Sequence, residues 1–161
     1  MLEINSSAGR STTVDQKLER FILELIGSHN IMTIATLRAD GWPQATTVAY
    51  ANDGLTIYFA ADKNSQKLKN IAYSDKVSLT IDRDYEDWYK IRGLSMAATA
   101  ENLMQAADIK HGLGLLAKKF PAYADVLAPD DPGIAVVRVT PRIISILNYE
   151  IEFGHTDIVQ V

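Results

Sequence analysis

Within six residues, Asp62-Lys63-Asn64-Ser65-Gln66-Lys67, the chain gathers hydroxyl, amide and ammonium groups. The apolar spacing that follows, Leu68, Ile71 and Ala72, predicts a helix through Tyr73 that opens at Asn64 or Ser65. At such a helix start the free backbone N–H groups, the Ser65 hydroxyl and the Lys67 ammonium could grip a phosphate together. The same residues also make an ordinary Ser or Asn cap followed by a solvated lysine face. Local sequence leaves both readings open.

The elements that would position this loop are strands. Ile31–Leu37 is β-branched and apolar, and Ala39-Asp40-Gly41 supplies turn chemistry before Pro43. Gln44–Tyr50 reads as a second strand, Asn52-Asp53-Gly54 as a second hairpin turn, and Leu55–Ala60 as a third strand. Thr46 and Thr47 lie mid-strand on opposite faces, so one of them points to the concave side, with Thr33 and Thr36 on the neighbouring strand. Which one depends on register. Lys76–Asp82 alternates as a fourth strand, and Tyr89–Leu103 reads as a long strand bulged at Gly93. Ile134–Thr140 and Arg142–Leu147 are expected as two strands joined through Pro141.

Helical spacing marks Val14–Ser28, capped by Thr13 or Asp15 and stopped near Gly27, and again Met104–Phe120, ended by Pro121. The polar residues 1–13 are expected to be flexible, and 14–161 to form one domain. Ala128–Gly133, with two prolines, is a loop. The expected fold is therefore α+β and mainly antiparallel, with six or seven strands, flanking helices and a small barrel favoured.

Composition removes several function classes. The net charge of −4 argues against a nucleic-acid surface as the main function and still allows a single local basic pocket. With no cysteine there is no disulfide framework or thiolate nucleophile, and His29, His111 and His155 form no metal-binding cluster, so no metal site is expected. No Gly-x-Ser-x-Gly elbow, Walker loop or Gly-x-Gly-x-x-Gly occurs. No apolar run is long enough for a membrane span and no signal-peptide order opens the chain, so a cytoplasmic location is expected.

Asp40-Gly41-Trp42-Pro43, Tyr58-Phe59, Ser65-x-Lys67-x-x-Asn70-Ile71 and Lys76-Val77-Ser78-Leu79 follow one another in this order. With Ile91-Arg92-Gly93 and the ending Phe153-Gly154-His155-Thr156-Asp157, they resemble the pyridoxamine 5′-phosphate oxidase-like FMN-binding split-barrel family. The resemblance makes the expected fold a six- to seven-stranded split β-barrel with flanking helices, and it implies a homodimer with FMN at the subunit interface. Its phosphate would be held by Thr46 and Thr47 of the second strand and by Ser65 and Lys67 of the loop. Backbone near Ala35, Thr36 and Val48 would border the ring, and Trp88 and His155 would close over it. His155, Lys67 or Arg92 would face the ring's N1 and O2 edge. It implies a flavin-dependent oxidoreductase of unknown substrate, or a non-catalytic flavin, deazaflavin or haem protein on the same barrel. Three positions depart from the family pattern. Ala61 stands where many members have threonine, Thr46 where the vitamin B6 oxidase has arginine, and Gln66 where it has the arginine of Ser-Arg-Lys. That oxidase's substrate-phosphate residues have no counterpart here, so the chain is not expected to be the vitamin B6 oxidase itself.

Overall fold

The computed structural model describes residues 16–127 and 131–161. The expected flexible segment 1–13, the Thr13 or Asp15 cap and residues 128–130 of the proline loop lie outside the described residues. Among the described residues three α-helices, α1 (Gln16–Ser28), α2 (Gln66–Tyr73) and α3 (Ala106–Lys119), accompany eight strands. The strands are β1 (Ile31–Leu37), β2 (Pro43–Ala49), β3 (Ala51–Asp53), β4 (Thr56–Asp62), β5 (Lys76–Ile81), β6 (Arg92–Asn102), β7 (Ile134–Asn148) and β8 (Thr156–Gln160).

All strand pairs are antiparallel, in the order β2-β1-β5-β6-β7-β4-β3, with β8 added on β7. β2 and β3 lie at opposite ends of this path, yet only Tyr50 separates them in the chain. The sheet must therefore curl until its ends meet at Tyr50, which gives the split barrel. Tyr50 is fully buried and donates its hydroxyl to the carbonyl of Ile26 at 2.6 Å, tying this corner to α1. The two hairpin turns fall at Gly41 and Gly54, whose φ values of 89° and 57° suit glycine.

The barrel interior is one apolar cluster, in which Ile22, Leu25 and Ile26 of α1 and Leu68 and Ile71 of α2 meet inward residues of the strands, among them Ile34, Phe59, Leu79 and Met96. Burying each such side chain contributes about 1.5–3 kcal/mol. A second cluster lies outside the barrel, where Leu113 and Leu116 of α3 pack on Tyr58 and Val136. Gly112 permits this approach, because a Cβ there would stand 2.9 Å from Val136 Cγ1. Much of the outward face of β2, β1, β5 and β6 carries small exposed side chains, among them Ala45, Thr47, Thr33, Ser78 and Ala97, with Ile31 and Leu37 the exposed large apolar residues of β1.

Three local expectations are corrected. Residues 134–148 form one strand rather than two, and the ladder continues past Pro141, which pairs with Ala98. The register shift falls at Ala97/Ala98 opposite this proline rather than at Gly93, because proline has no N–H to give the ladder. Tyr89 belongs to a 3₁₀ turn, Trp88–Lys90, and the long strand begins at Arg92.

Candidate functional site

Ser65 stands at the N-cap position of α2 in extended conformation (φ −62°, ψ 151°), yet its side chain makes no capping hydrogen bond. Its Oγ is buried and has no partner. Leaving a buried hydroxyl unpaired costs about 1–3 kcal/mol. The helix entry is held by other groups: Ser65 N–H donates to Asp62 O at 3.0 Å, and Asn64 N–H to Asp62 Oδ1 at 2.7 Å. The capping role is therefore not what occupies this serine.

Two residues on, the half-buried Lys67 makes no hydrogen bond or ion pair among the described residues. Ser65 and Lys67 line a cleft of about 560 Å³ with Thr47 and Val48 of β2 and Ala60 and Ala61 of β4. Asp62 lies at its polar end. The rest of its lining is mostly apolar and includes the end of α3 and the turn after it: Leu116, Phe120, Tyr123 and Leu127. Tyr123 is 62% exposed. An anion among the polar residues would meet an ammonium, the Thr47 hydroxyl and the first N–H groups of α2 beside the Asp62 carboxylate, with the Ser65 hydroxyl reached by rotation about χ1, and a flat ring could lie against the apolar lining.

Register decides between the two threonines. Thr46 pairs with the buried Ile34 and so points into the barrel, where its hydroxyl is buried without a partner. Thr47 pairs with Thr33 on the outer face and is the one that lines the cleft.

Of the residues singled out in the sequence, Thr47, Val48, Ser65 and Lys67 are brought together within one chain. Ala35 and Thr36 border a different, apolar hollow of about 450 Å³ beside Leu37, Ser78 and Arg142. Thr36 is buried and accepts a hydrogen bond from Asn70 Nδ2 at 2.9 Å. Trp88, 66% exposed, lines a third hollow with Arg83, Tyr85 and Arg92. His155 bonds Asp157 at 2.9 Å. Arg92 lies 3.7 Å from Glu150 and 4.0 Å from Glu24. Sequence reasoning missed the Phe120-Tyr123-Leu127 wall. Its only signal was an amphipathic helix ending at Pro121, which says nothing about the cleft it faces.

Among the described residues no group of three histidines or carboxylates could hold a metal ion, and no helix is long and apolar enough to cross a membrane.

Known proteins sharpen this picture. General stress protein 26 of Bacillus subtilis is 23% identical over 133 residues, 83% of this chain and 90% of that protein. A heme binding protein from Mycobacterium smegmatis superposes with a TM-score of 0.76 at 17% identity, over 88% of this chain. The match spans only 57% of that protein's length. A putative pyridoxamine 5′-phosphate oxidase from Listeria innocua superposes with a TM-score of 0.68 at 22% identity, over 81% of this chain and 98% of its own. At these identities the solved structures establish the fold alone. The family is established by sequence: residues 18–148 match pyridoxamine 5′-phosphate oxidase over most of the chain, and the protein belongs to that family.

Proposed function

We propose that this protein is a flavoprotein that binds FMN in the Thr47–Ser65–Lys67 cleft and acts as a flavin-dependent oxidoreductase on a small molecule. The observation that carries the reading is the Ser65 hydroxyl, buried and withheld from capping beside an unpaired Lys67. The residues fit the group. The phosphate takes the polar end, where Lys67 supplies charge, α2 its N-terminal N–H groups, and Ser65, after rotation about χ1, a hydroxyl. Thr47 offers a second hydroxyl in the cleft that Ala61 also lines. The ring takes the apolar side. The flavin supplies the electron chemistry when bound, and the chain binds it, orients it and keeps water from it.

The exposed small-residue face of β2, β1, β5 and β6 supports a homodimer in which a second copy covers that face and encloses the cofactor. Ala35, Thr36, Trp88 and His155, which do not line the cleft within one chain, are then the segments through which the partner subunit would complete the ring site.

Haem is the second reading, favoured by the likeness to the M. smegmatis protein. Against it, the cleft lining within one chain contains no histidine, methionine or cysteine, so haem would need Tyr123 or a ligand such as the partner's His155.

The test is the absorption spectrum of the purified protein, followed by titration with FMN, a deazaflavin and haemin, and then by NADH and NADPH oxidation. A flavin spectrum, or quenching of FMN fluorescence on binding, is expected. Protein that stays colourless and ignores FMN, or that shows a Soret band, overturns the assignment.

A further inference from the structure

Asn70 is the one strongly polar side chain sunk among the apolar residues of α2, with 1% of its surface exposed. Its Nδ2 group donates to Thr36 Oγ1 of β1 at 2.9 Å and to Gln44 Oε1 of β2 at 3.0 Å. Its Oδ1 accepts from Gln66 Nε2 at 2.8 Å. Three of the four hydrogen-bonding positions of the amide are thus filled by groups from three different elements. Gln66 is the residue between Ser65 and Lys67, and Gln44 lies three residues before Thr47 on the same strand.

A leucine at position 70 would bury as much apolar surface and would leave α2 freer to turn or slide against the sheet. Directed hydrogen bonds to the buried Asn70 amide fix one orientation, and a well-satisfied polar network of this kind rigidifies and specifies one packing. The consequence falls at the start of the helix. With the Ser65 cap bond unmade, the side-chain link from α2 to β1 and β2 runs through Asn70, and the Gln66 bond fixes the face of the first turn. Ser65 and Lys67 are thereby turned to the cleft rather than to the strands.

We infer that Asn70 is a positioning residue, a buried strut that sets the Ser65–Lys67 edge against Thr47 and so gives the cleft its selectivity for a phosphorylated flavin over an unphosphorylated one. This rests on the flavin reading above. Asn70 touches no ligand. Its effect passes through Gln66 and Gln44.

The experiment measures the affinities of FMN and riboflavin for the wild-type chain, for Asn70→Ala and for Gln44→Met. The second variant keeps the volume, removes one strand anchor and leaves the Thr36 and Gln66 bonds in place, so it guards against a variant that fails to fold. In the wild type FMN binds more tightly than riboflavin. In Asn70→Ala that preference falls by about tenfold, the scale of a misplaced charge-assisted bond, while riboflavin affinity stays within about threefold. Gln44→Met shows a smaller loss in the same direction. A parallel loss of both ligands, or an unchanged preference in a folded variant, overturns the strut. A wild type that binds both flavins equally, or neither, overturns the phosphate site itself, and the strut with it.

Discussion

Two short helices begin in polar loops, and they treat their first residues in opposite ways. At the Trp88–Lys90 turn, Asp87 caps in the ordinary manner: its carboxylate accepts the Tyr89 N–H at 3.0 Å and lies 3.9 Å from Lys90 Nζ. At α2, Ser65 occupies the equivalent position with its hydroxyl buried and unbonded, and Lys67 has no partner among the described residues. One loop spends its polar groups on its own backbone. The other commits Asp62 in the same way, through the Asn64 N–H, but leaves the Ser65 hydroxyl and Lys67 uncommitted. Stability alone would favour the first arrangement, so the second points to groups kept for something outside the chain.

The largest expected effect tests that inference at its charge. Lys67→Ala should weaken FMN binding by on the order of 1.5–3 kcal/mol, the range for a hydrogen bond to a charged group. Its unfolding free energy should stay within about 0.5 kcal/mol of wild type, as for a surface position without partners. Fluorescence titration and urea denaturation give the two numbers. Unchanged affinity would remove Lys67 from the site.

The next pair of variants breaks the comparison directly. Asp87→Ala should cost stability, about 0.5–1 kcal/mol at the low end for a lost cap on a short turn, with FMN affinity unchanged. Ser65→Ala should do the reverse: no loss of stability, since no cap bond exists to lose, and FMN weakened by about 0.5–1.5 kcal/mol. If Ser65→Ala destabilises the fold as much as Asp87→Ala does, Ser65 is a cap after all and the two loops are alike.

This contrast could not be read from the sequence, although much else could. Strand alternation and the Asp40-Gly41 and Asp53-Gly54 turns marked the first hairpins, because φ > 0 at Gly41 and Gly54 is a local demand that leaves a local trace. Pro141 misled: a proline normally ends a strand, and only the irregularity opposite it, at Ala97/Ala98, lets the ladder run on. Thr46 and Thr47 were indistinguishable until register set Thr46 against Ile34. Whether Ser65 caps or waits is a matter of which acceptors surround it. Asn70 shows the same limit. The motif that carries the family resemblance includes it, but only its contacts with Thr36 and Gln44 show that it faces inward.

The smallest effect concerns a third lysine at a helix end, which sharpens what is unusual about Lys67. Lys119, in the last turn of α3, donates to the carbonyl of His29 at 2.5 Å, and its ammonium sits 4.1 Å above the Tyr50 ring. Burial holds its pKa below the ordinary lysine value and pushes the Tyr50 phenol above the ordinary tyrosine value. For Lys119, the unfolded chain binds more protons than the folded one between the depressed value and 10.5, so stability rises with pH across that window. For Tyr50 the sign reverses. Above 10.0 the unfolded chain loses its phenolic proton while the folded chain keeps it, and stability falls with pH. Urea midpoints followed from about pH 8 to 11, the range that brackets ordinary lysine and tyrosine titration, should therefore rise and then fall. Lys119→Met should lose the rising limb and keep the falling one. Parallel profiles for the two proteins would show that the Lys119 ammonium is not held against Tyr50, and that a lysine at a helix end of this fold need not be committed to the chain.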